Sequence, residues 1–241
     1  MEPELTINCA KCPKNVCPTE EFLQGPDNCP TKIRSEVIKE AVERYHDAEL
    51  GEFARIASIV EASAYTRVPW SDSPAPLTTR LEEIIRFCLK MDYRKLGVAF
   101  CIGLVNEAQV LIPILENAGF EVVSVCCKTG GIPKETIGIT ETEKINPGKY
   151  ESMCNPISQA GILNREGTQF NLMMGLCVGH DALFLKHCQA LTTVFAVKDR
   201  LLGHNPLAAL YLSRSYYRGC AAQTLPLWRN DRLLGVEGVH P

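Results

Sequence analysis

The sequence lacks the signatures of several large protein classes. It has no apolar run near the ~20 residues that a membrane-spanning helix needs, and residues 1–8 show neither the basic segment nor the apolar core of a signal peptide. Its net charge is −3, with lysine and arginine scattered among aspartate and glutamate. No basic stripe therefore predicts a nucleic-acid interface. We expect a cytoplasmic protein with neither a membrane nor a nucleic-acid partner.

Common catalytic and nucleotide-binding motifs are also absent. The sequence contains no G-x-x-x-x-G-K-[ST] loop and no G-x-G-x-x-G turn after a strand, so the usual phosphate cradles are missing. It has no G-x-S-x-G nucleophile elbow and no H-E-x-x-H zinc helix either. These absences leave open whether the protein is an enzyme.

Cysteine is abundant. The chain has 12 cysteines in 241 residues. A chain of this length can bury a sufficient core without disulfides, and thiols stay reduced in the cytoplasm. We therefore interpret the cysteines first as metal ligands.

Four of the cysteines form an N-terminal group with the spacing Cys9-x2-Cys12-x4-Cys17-x11-Cys29. Three of them are followed directly by proline, as in the runs that bind clusters in bacterial ferredoxins. A single C-x-x-C knuckle is one fewer than a four-thiolate zinc site usually has. Residues 1–30 are thus predicted to be a metal module, with iron–sulfur preferred over zinc.

The rest of the chain divides by its hydrophobic pattern. Residues 31–94 are predicted to be a helical segment, with 66–77 as a proline-broken loop, and residues 95–217 an α/β domain. Residues 218–241 are predicted to be an irregular tail. The expected fold is α/β, a three-layer sandwich with a mainly parallel sheet and flanking helices. The predicted strands are Leu96–Cys101, Glu121–Cys127, Asn171–Val178 and Leu191–Lys198.

Local signals refine this picture. Thr79 followed by Glu82 predicts a capping box, and Asn155-Pro156 predicts a helix start. Asp181 is predicted to cap the helix after the third strand. Residues 128–153 are predicted to be a long polar loop, a feature that often covers a functional site.

A second group of cysteines lies at the predicted strand ends and at the Asn155-Pro156 helix start. In parallel sheets the ligand site lies beyond the carboxyl ends of the strands, so these thiols are expected to share one edge. They could bind a metal ion or an iron–sulfur cluster, or simply fill the core. Neighbouring strand residues point to opposite faces, which leaves the choice between the adjacent Cys126 and Cys127 open. The cofactor-binding candidates are Cys101, Cys126, Cys127, Cys154 and Cys177.

Three polar residues near the same edge are candidates for a catalytic role. His180 follows the third strand, where it could be a ligand, a proton donor or only a turn residue. Lys198 ends the fourth strand, and its charge could offset that of a cluster or a substrate. His204 follows shortly after and could face the same cleft.

Several cysteine-bearing segments resemble an uncharacterised prokaryotic family of cysteine-rich, metal-binding proteins, a domain of unknown function. The resemblance covers nearly the whole chain and implies a cysteine-rich, metal-binding cytoplasmic protein. It implies no established activity and no ligand set. The segments that carry it are Cys9–Cys12, Phe100–Leu104, Cys126–Lys128, Cys154–Ala160, Gly175–Asp181 and Lys198–Pro206.

Taken together, the sequence predicts a metal-binding protein, with an iron–sulfur cluster preferred over zinc as cofactor. The strand-end cysteines would form a second site for redox or sulfur chemistry, with a small molecule or a redox protein as partner. The alternatives are a non-enzymatic carrier or sensor of zinc or a soft metal, and a structural zinc protein. The oligomeric state is left open.

Overall fold

A computed structural model describes residues 6–217 of the chain. The chain divides into two compact units, Met1–Thr78 and Thr79–Pro241. The predicted irregular tail, residues 218–241, lies outside the described residues.

The first unit is mainly helical. Its helices are α1 (Pro30–Ile33), α2 (Ser35–Arg44) and α3 (Ala48–Ser63). Asp47 is the N-cap residue of α3, and its carboxylate accepts hydrogen bonds from the N–H groups of Glu49 and Leu50. This cap satisfies two donors that a helix start leaves unpaired.

The prediction of a loop over residues 66–77 is wrong. Strands β1 (Tyr65–Val68) and β2 (Ser71–Pro76) pair there as an antiparallel hairpin. Pro74 and Pro76 are compatible with β2 because each strand of a two-stranded sheet has one edge that needs no N–H donor.

The second unit is built around a parallel sheet. The four strands pair in the order β4-β3-β5-β6, and every pairing is parallel. This confirms the predicted α/β fold with a mainly parallel sheet flanked by helices. The elements in chain order are α4 (Arg80–Lys90), β3 (Lys95–Phe100), α5 (Val105–Asn117), β4 (Glu121–Cys126), α6 (Pro156–Arg165), β5 (Phe170–Met174), α7 (His180–His187), β6 (Thr192–Ala196) and α8 (Leu207–Tyr211).

The two central strands carry the core of this unit. All of β5 and all of β3 beyond Lys95 are buried, as expected for parallel strands covered on both faces. The surrounding core cluster includes Cys101 and Cys127. None of the helices within residues 6–217 combines the length and the apolar character needed to cross a bilayer.

Two of the three predicted helix starts are confirmed. Thr79 and Glu82 form the capping box before α4, and the Asn155 side chain accepts a hydrogen bond from the Ser158 N–H at 3.1 Å. Asp181 is not a cap, because α7 already begins at His180. Its carboxylate accepts a hydrogen bond from the N–H of the next residue, Ala182.

The predicted long loop, residues 128–153, is held together by ion pairs. Lys134 Nζ lies 2.6 Å from Glu151 Oε2. The side chain of Lys144 is only 3 % exposed and pairs with both Glu135 and Glu141. Charge pairing therefore orders a segment that contributes little to the apolar core.

Acid is expected to open this loop. Lys134 lowers the pKa of Glu151 to about 2, and Lys144 lowers the pKa of Glu135 and of Glu141. Each folded-state pKa lies below the value of about 4.3 for an unfolded glutamate. The ion pairs therefore stabilise the loop above that pH and lose this effect as the pH falls toward about 2.

Hydrogen exchange of residues 134–151, corrected for intrinsic rates, would test this expectation. Protection should fall between about pH 5 and about pH 2. Glu151→Gln should weaken protection already at neutral pH, whereas Glu116→Gln on α5 should behave like the wild type. Unchanged protection down to about pH 2.5 would contradict the expectation.

A candidate thiolate centre at the carboxyl edge of the sheet

Three cysteines meet at the carboxyl edge of the sheet, and we call them the thiol trio: Cys101, Cys127 and Cys154. Cys101 directly follows β3, Cys127 directly follows β4, and Cys154 lies two residues before α6. The thiol of Cys127 is in hydrogen-bond contact with the sulfurs of both other members. The trio therefore forms a chain of three sulfurs with Cys127 in the middle.

Backbone hydrogen bonds hold the trio in place. The Cys127 N–H donates to the Phe100 carbonyl at 2.9 Å, which continues the pairing of β3 with β4 past the last strand residue. The Asn155 N–H donates to the Cys127 carbonyl at 2.8 Å. This second bond ties the two ends of loop 128–153 together and brings Cys154 to the sheet.

Cys101 lies in surroundings that favour its thiolate. The hydrogen bond with Cys127 is the largest cause that lowers its pKa to about 5, helped by the Gly103 N–H and the Lys198 ammonium, while burial opposes the shift. A Cβ on Gly103 would lie 3.4 Å from Lys198 Nζ and 3.9 Å from Cys101 Sγ. A glycine at this position thus leaves room for the lysine beside the sulfur.

Cys154 is stabilised as a thiolate in a similar way. Its hydrogen bond with Cys127 is again the largest cause, and the positive charges of Lys128 and His180 act in the same direction, so the pKa falls to about 5. Lys128 Nζ also donates to the Ser152 carbonyl at 2.5 Å. This bond keeps the lysine close to Cys154.

Cys127 is the member of the trio that keeps its proton. Its two thiol neighbours and its burial raise its pKa, and the Ile102 N–H, which donates to its sulfur at 3.3 Å, only partly opposes them. The single S–H proton of Cys127 can be donated to only one of the two neighbouring sulfurs at a time. Lys198 and Lys128 supply positive charge on either side.

Cys126 and Cys127 have different environments. Cys127 is 1 % exposed and contacts both other sulfurs. Cys126 is half-buried and packs against the core cluster, while its carbonyl accepts a hydrogen bond from the Thr129 hydroxyl. Only Cys127 joins the trio.

The Cys177 sulfur has a different partner. Strand β5 ends at Met174, and Gly175 turns the chain with a φ of +66°. The sulfur of Cys177 instead accepts a hydrogen bond from Arg200 Nη2 at 3.1 Å. Of the cysteines predicted to share this edge, the structure thus brings together Cys101, Cys127 and Cys154.

The three polar candidates occupy different positions. Lys198 donates to Cys101, and His180 acts on Cys154 through its charge. The Nδ1 atom of His180 is buried and has no hydrogen-bond partner among the described residues. Nδ1 of His204 lies 3.1 Å from both Asp199 N and Val197 O, within the turn after β6.

Gln159 is a residue of this site that the sequence reasoning missed. It is fully buried on α6, and its Nε2 donates to the Phe100 carbonyl at 3.2 Å and to the Val125 carbonyl at 2.7 Å. These carbonyls lie just before Cys101 and Cys127, so Gln159 links the two strand ends. The sequence does contain a signal for Gln159, because it is a polar residue at a position where the helical periodicity of α6 predicts an apolar one.

The N-terminal cysteines lie around one cavity. Cys9, Cys12, Cys17 and Cys29 all line it, and its volume is about 300 Å³. Hydrogen bonds from the Thr31 hydroxyl and N–H lower the pKa of Cys29. Within residues 6–217, no three histidine, cysteine, aspartate or glutamate side chains are already arranged to hold a single metal ion.

Comparison with known proteins adds a family but no activity. The sequence profile of a family described as "Protein of unknown function (DUF1847)" matches residues 29–195, a range that contains the whole thiol trio. An uncharacterised protein of Methanocaldococcus jannaschii is 44 % identical over 205 residues, covering 85 % of this chain and 94 % of that protein. No solved structure matches the chain. The chain therefore belongs to the DUF1847 family, as the resemblance of its cysteine-bearing segments predicts.

Proposed function

We propose that this protein is a metal-binding protein whose thiol trio ligates a thiophilic metal for redox or sulfur chemistry. The observation that carries the proposal is the contact of Cys127 with the sulfurs of both Cys101 and Cys154. Sulfurs bound to one tetrahedral ion at ~2.3 Å each lie ~3.8 Å from one another. Within residues 6–217 no three such side chains are already arranged around one ion, so metal binding would have to bring the three sulfurs of the trio to that separation.

The surroundings of the trio fit a metal centre. Two of the three sulfurs favour the thiolate form, which is the form that binds metals. Lys198 and Lys128 offset the negative charge that three thiolates bring to one ion. Metal binding would replace the Cys127 proton and draw Cys101 and Cys154 together around the ion.

Three protein ligands leave one coordination position for an exogenous group. Such an open position distinguishes catalytic sites from closed structural ones. A soft ligand set favours a substrate sulfur there. The charge of His180 acts on Cys154, and its buried Nδ1 has no hydrogen-bond partner among the described residues, so His180 is the candidate to exchange a proton with that ligand.

Anaerobic titration with Co²⁺ tests the proposal, because cobalt–thiolate bonds absorb visible light. The N-terminal cysteines are silenced by Cys12→Ser in every sample. We expect one Co²⁺ bound with charge-transfer absorption, and binding weakened at least ~100-fold by Cys127→Ser, since each ligand supplies several kcal/mol to a thiolate site. Cys126→Ser, in the adjacent residue, should bind like the parent.

Two results would overturn the proposal. One is equal Co²⁺ binding by the parent and by Cys127→Ser. The other is a trio that binds no cobalt and forms a disulfide in the presence of a mild disulfide oxidant. That second result would make the trio a dithiol centre rather than a metal centre.

A further inference from the structure

The N-terminal group of cysteines offers a site that is independent of the trio. Cys9 and Cys12 lie at the start of the described chain, where the Cys12 N–H donates to the Cys9 carbonyl at 3.1 Å and closes a single turn. Cys29 lies directly before α1 and is 6 % exposed. Together with Cys17, these residues surround one cavity. We propose that this cavity holds an iron–sulfur cluster of the four-iron type, bound by Cys9, Cys12, Cys17 and Cys29.

The segment around the cavity has almost no apolar core. Within residues 6–34 only Gly25 and Cys29 are buried. The large apolar side chains Ile7, Phe22 and Leu23 are exposed. A segment of this kind needs a metal or another cross-link to be stable. Binding of a cofactor by the four sulfurs would supply that stability.

The size of the cavity favours a cluster over a single ion. A single zinc ion holds four sulfurs at ~2.3 Å and leaves no space between them. The cavity has a volume of about 300 Å³, whereas one buried water needs only ~15 Å³. A cage of iron and sulfide, held from outside by four cysteines, fits this arrangement.

Two further contacts suit a cluster. The Thr31 side chain hydrogen-bonds to the sulfur of Cys29, and hydrogen bonds to the sulfurs are one of the factors that tune such clusters. A Cβ on Gly25 would lie 2.9 Å from Cys29 Sγ. Gly25 therefore lets the backbone pass close to one of the proposed ligands.

Iron and sulfide analysis of the full chain tests this inference. Protein carrying Cys127→Ser, which disables the trio, is purified anaerobically and reconstituted with equal amounts of ferrous and ferric iron and with sulfide. We expect roughly four iron and four sulfide per chain, and an electron paramagnetic resonance signal after reduction. Adding Cys12→Ser should abolish both. Gly25→Ala, which keeps all four thiols, should reduce cluster content, whereas Gly161→Ala, with open space around its Cβ position, should not.

The result that overturns the inference is protein that binds one zinc ion per chain through these cysteines and takes up no cluster. Unchanged iron content in Cys12→Ser would overturn it as well. Circular dichroism of each variant separates loss of the cluster from loss of the fold. Failure here leaves the thiol trio untouched, because cobalt binding there is measured with Cys12 already replaced.

Discussion

Alkylation of Cys154 in the metal-free protein is expected to be almost independent of pH between about pH 6 and about pH 8. With a pKa of about 5, Cys154 is already a thiolate throughout that range. An ordinary cysteine with a pKa of ~8.5 would react roughly 80-fold faster at the upper limit than at the lower one. Peptide mapping by mass spectrometry after timed iodoacetamide pulses measures this for each cysteine, and the same chain in urea supplies the ordinary profile.

The charged and titratable groups that act on Cys154 are Cys127, Lys128 and His180. Because the charge of Lys128 lowers the pKa of Cys154, Lys128→Met should move the pH profile of Cys154 alkylation toward higher pH. Lys149→Met, which replaces an exposed lysine of the same loop, should leave it in place. Cys88, a core thiol whose pKa burial raises to about 12, should stay unmodified in the folded protein. A Cys154 profile that matches the unfolded chain would show that the trio does not form.

The position of most residues of this site can be predicted from the sequence, because the topology of a parallel sheet determines which residues share an edge. Cys101 and Cys127 end apolar runs, and parallel strands present their carboxyl ends at one edge. The Asn155-Pro156 pair marks the start of α6, which places Cys154 at the same edge. The same argument places Lys198 at this edge, because Lys198 ends the predicted fourth strand. Each of these inferences needs only the order of the elements and the direction of the strands.

Other features depend on contacts that no pattern carries. The sequence predicts that Cys177 joins the other strand ends, but β5 ends at Met174, a left-handed turn follows at Gly175, and the Cys177 sulfur accepts a hydrogen bond from Arg200. A Cβ on Gly175 would lie 2.1 Å from Leu104 Cδ1. The tight turn is therefore set by packing against a residue about 70 positions earlier in the chain. Nothing within the local sequence reports that contact.

Gln159→Leu is expected to lower the free energy of unfolding by about 1–3 kcal/mol and to disturb the trio as well. The substitution keeps the volume but removes the donor that serves the Phe100 and Val125 carbonyls. Phe100 O retains its bond from the Cys127 N–H. Leucine also removes a buried Oε1 that has no partner among the described residues, which offsets part of the cost. Urea denaturation followed by circular dichroism measures the change.

Gln169, at the opposite end of β3 from Phe100, offers a matched control. Gln169 Oε1 accepts hydrogen bonds from the N–H groups of Arg94 and Lys95 at 2.7 and 3.0 Å, just where β3 begins. Because Gln169 is exposed, water can replace these bonds, and Gln169→Leu should cost less stability.

The pH dependence of Cys154 alkylation shows whether Gln159 positions the sulfurs or only stabilises the fold. Gln159 links β3 and β4 through the carbonyls of Phe100 and Val125, close to the points where the two strands end. Its loss should therefore loosen the contact of Cys127 with Cys154. The Gln159→Leu profile should then shift toward that of an ordinary thiol, while the Gln169→Leu profile should remain flat. If both variants keep the flat profile, Gln159 supports the sheet but does not position the sulfurs.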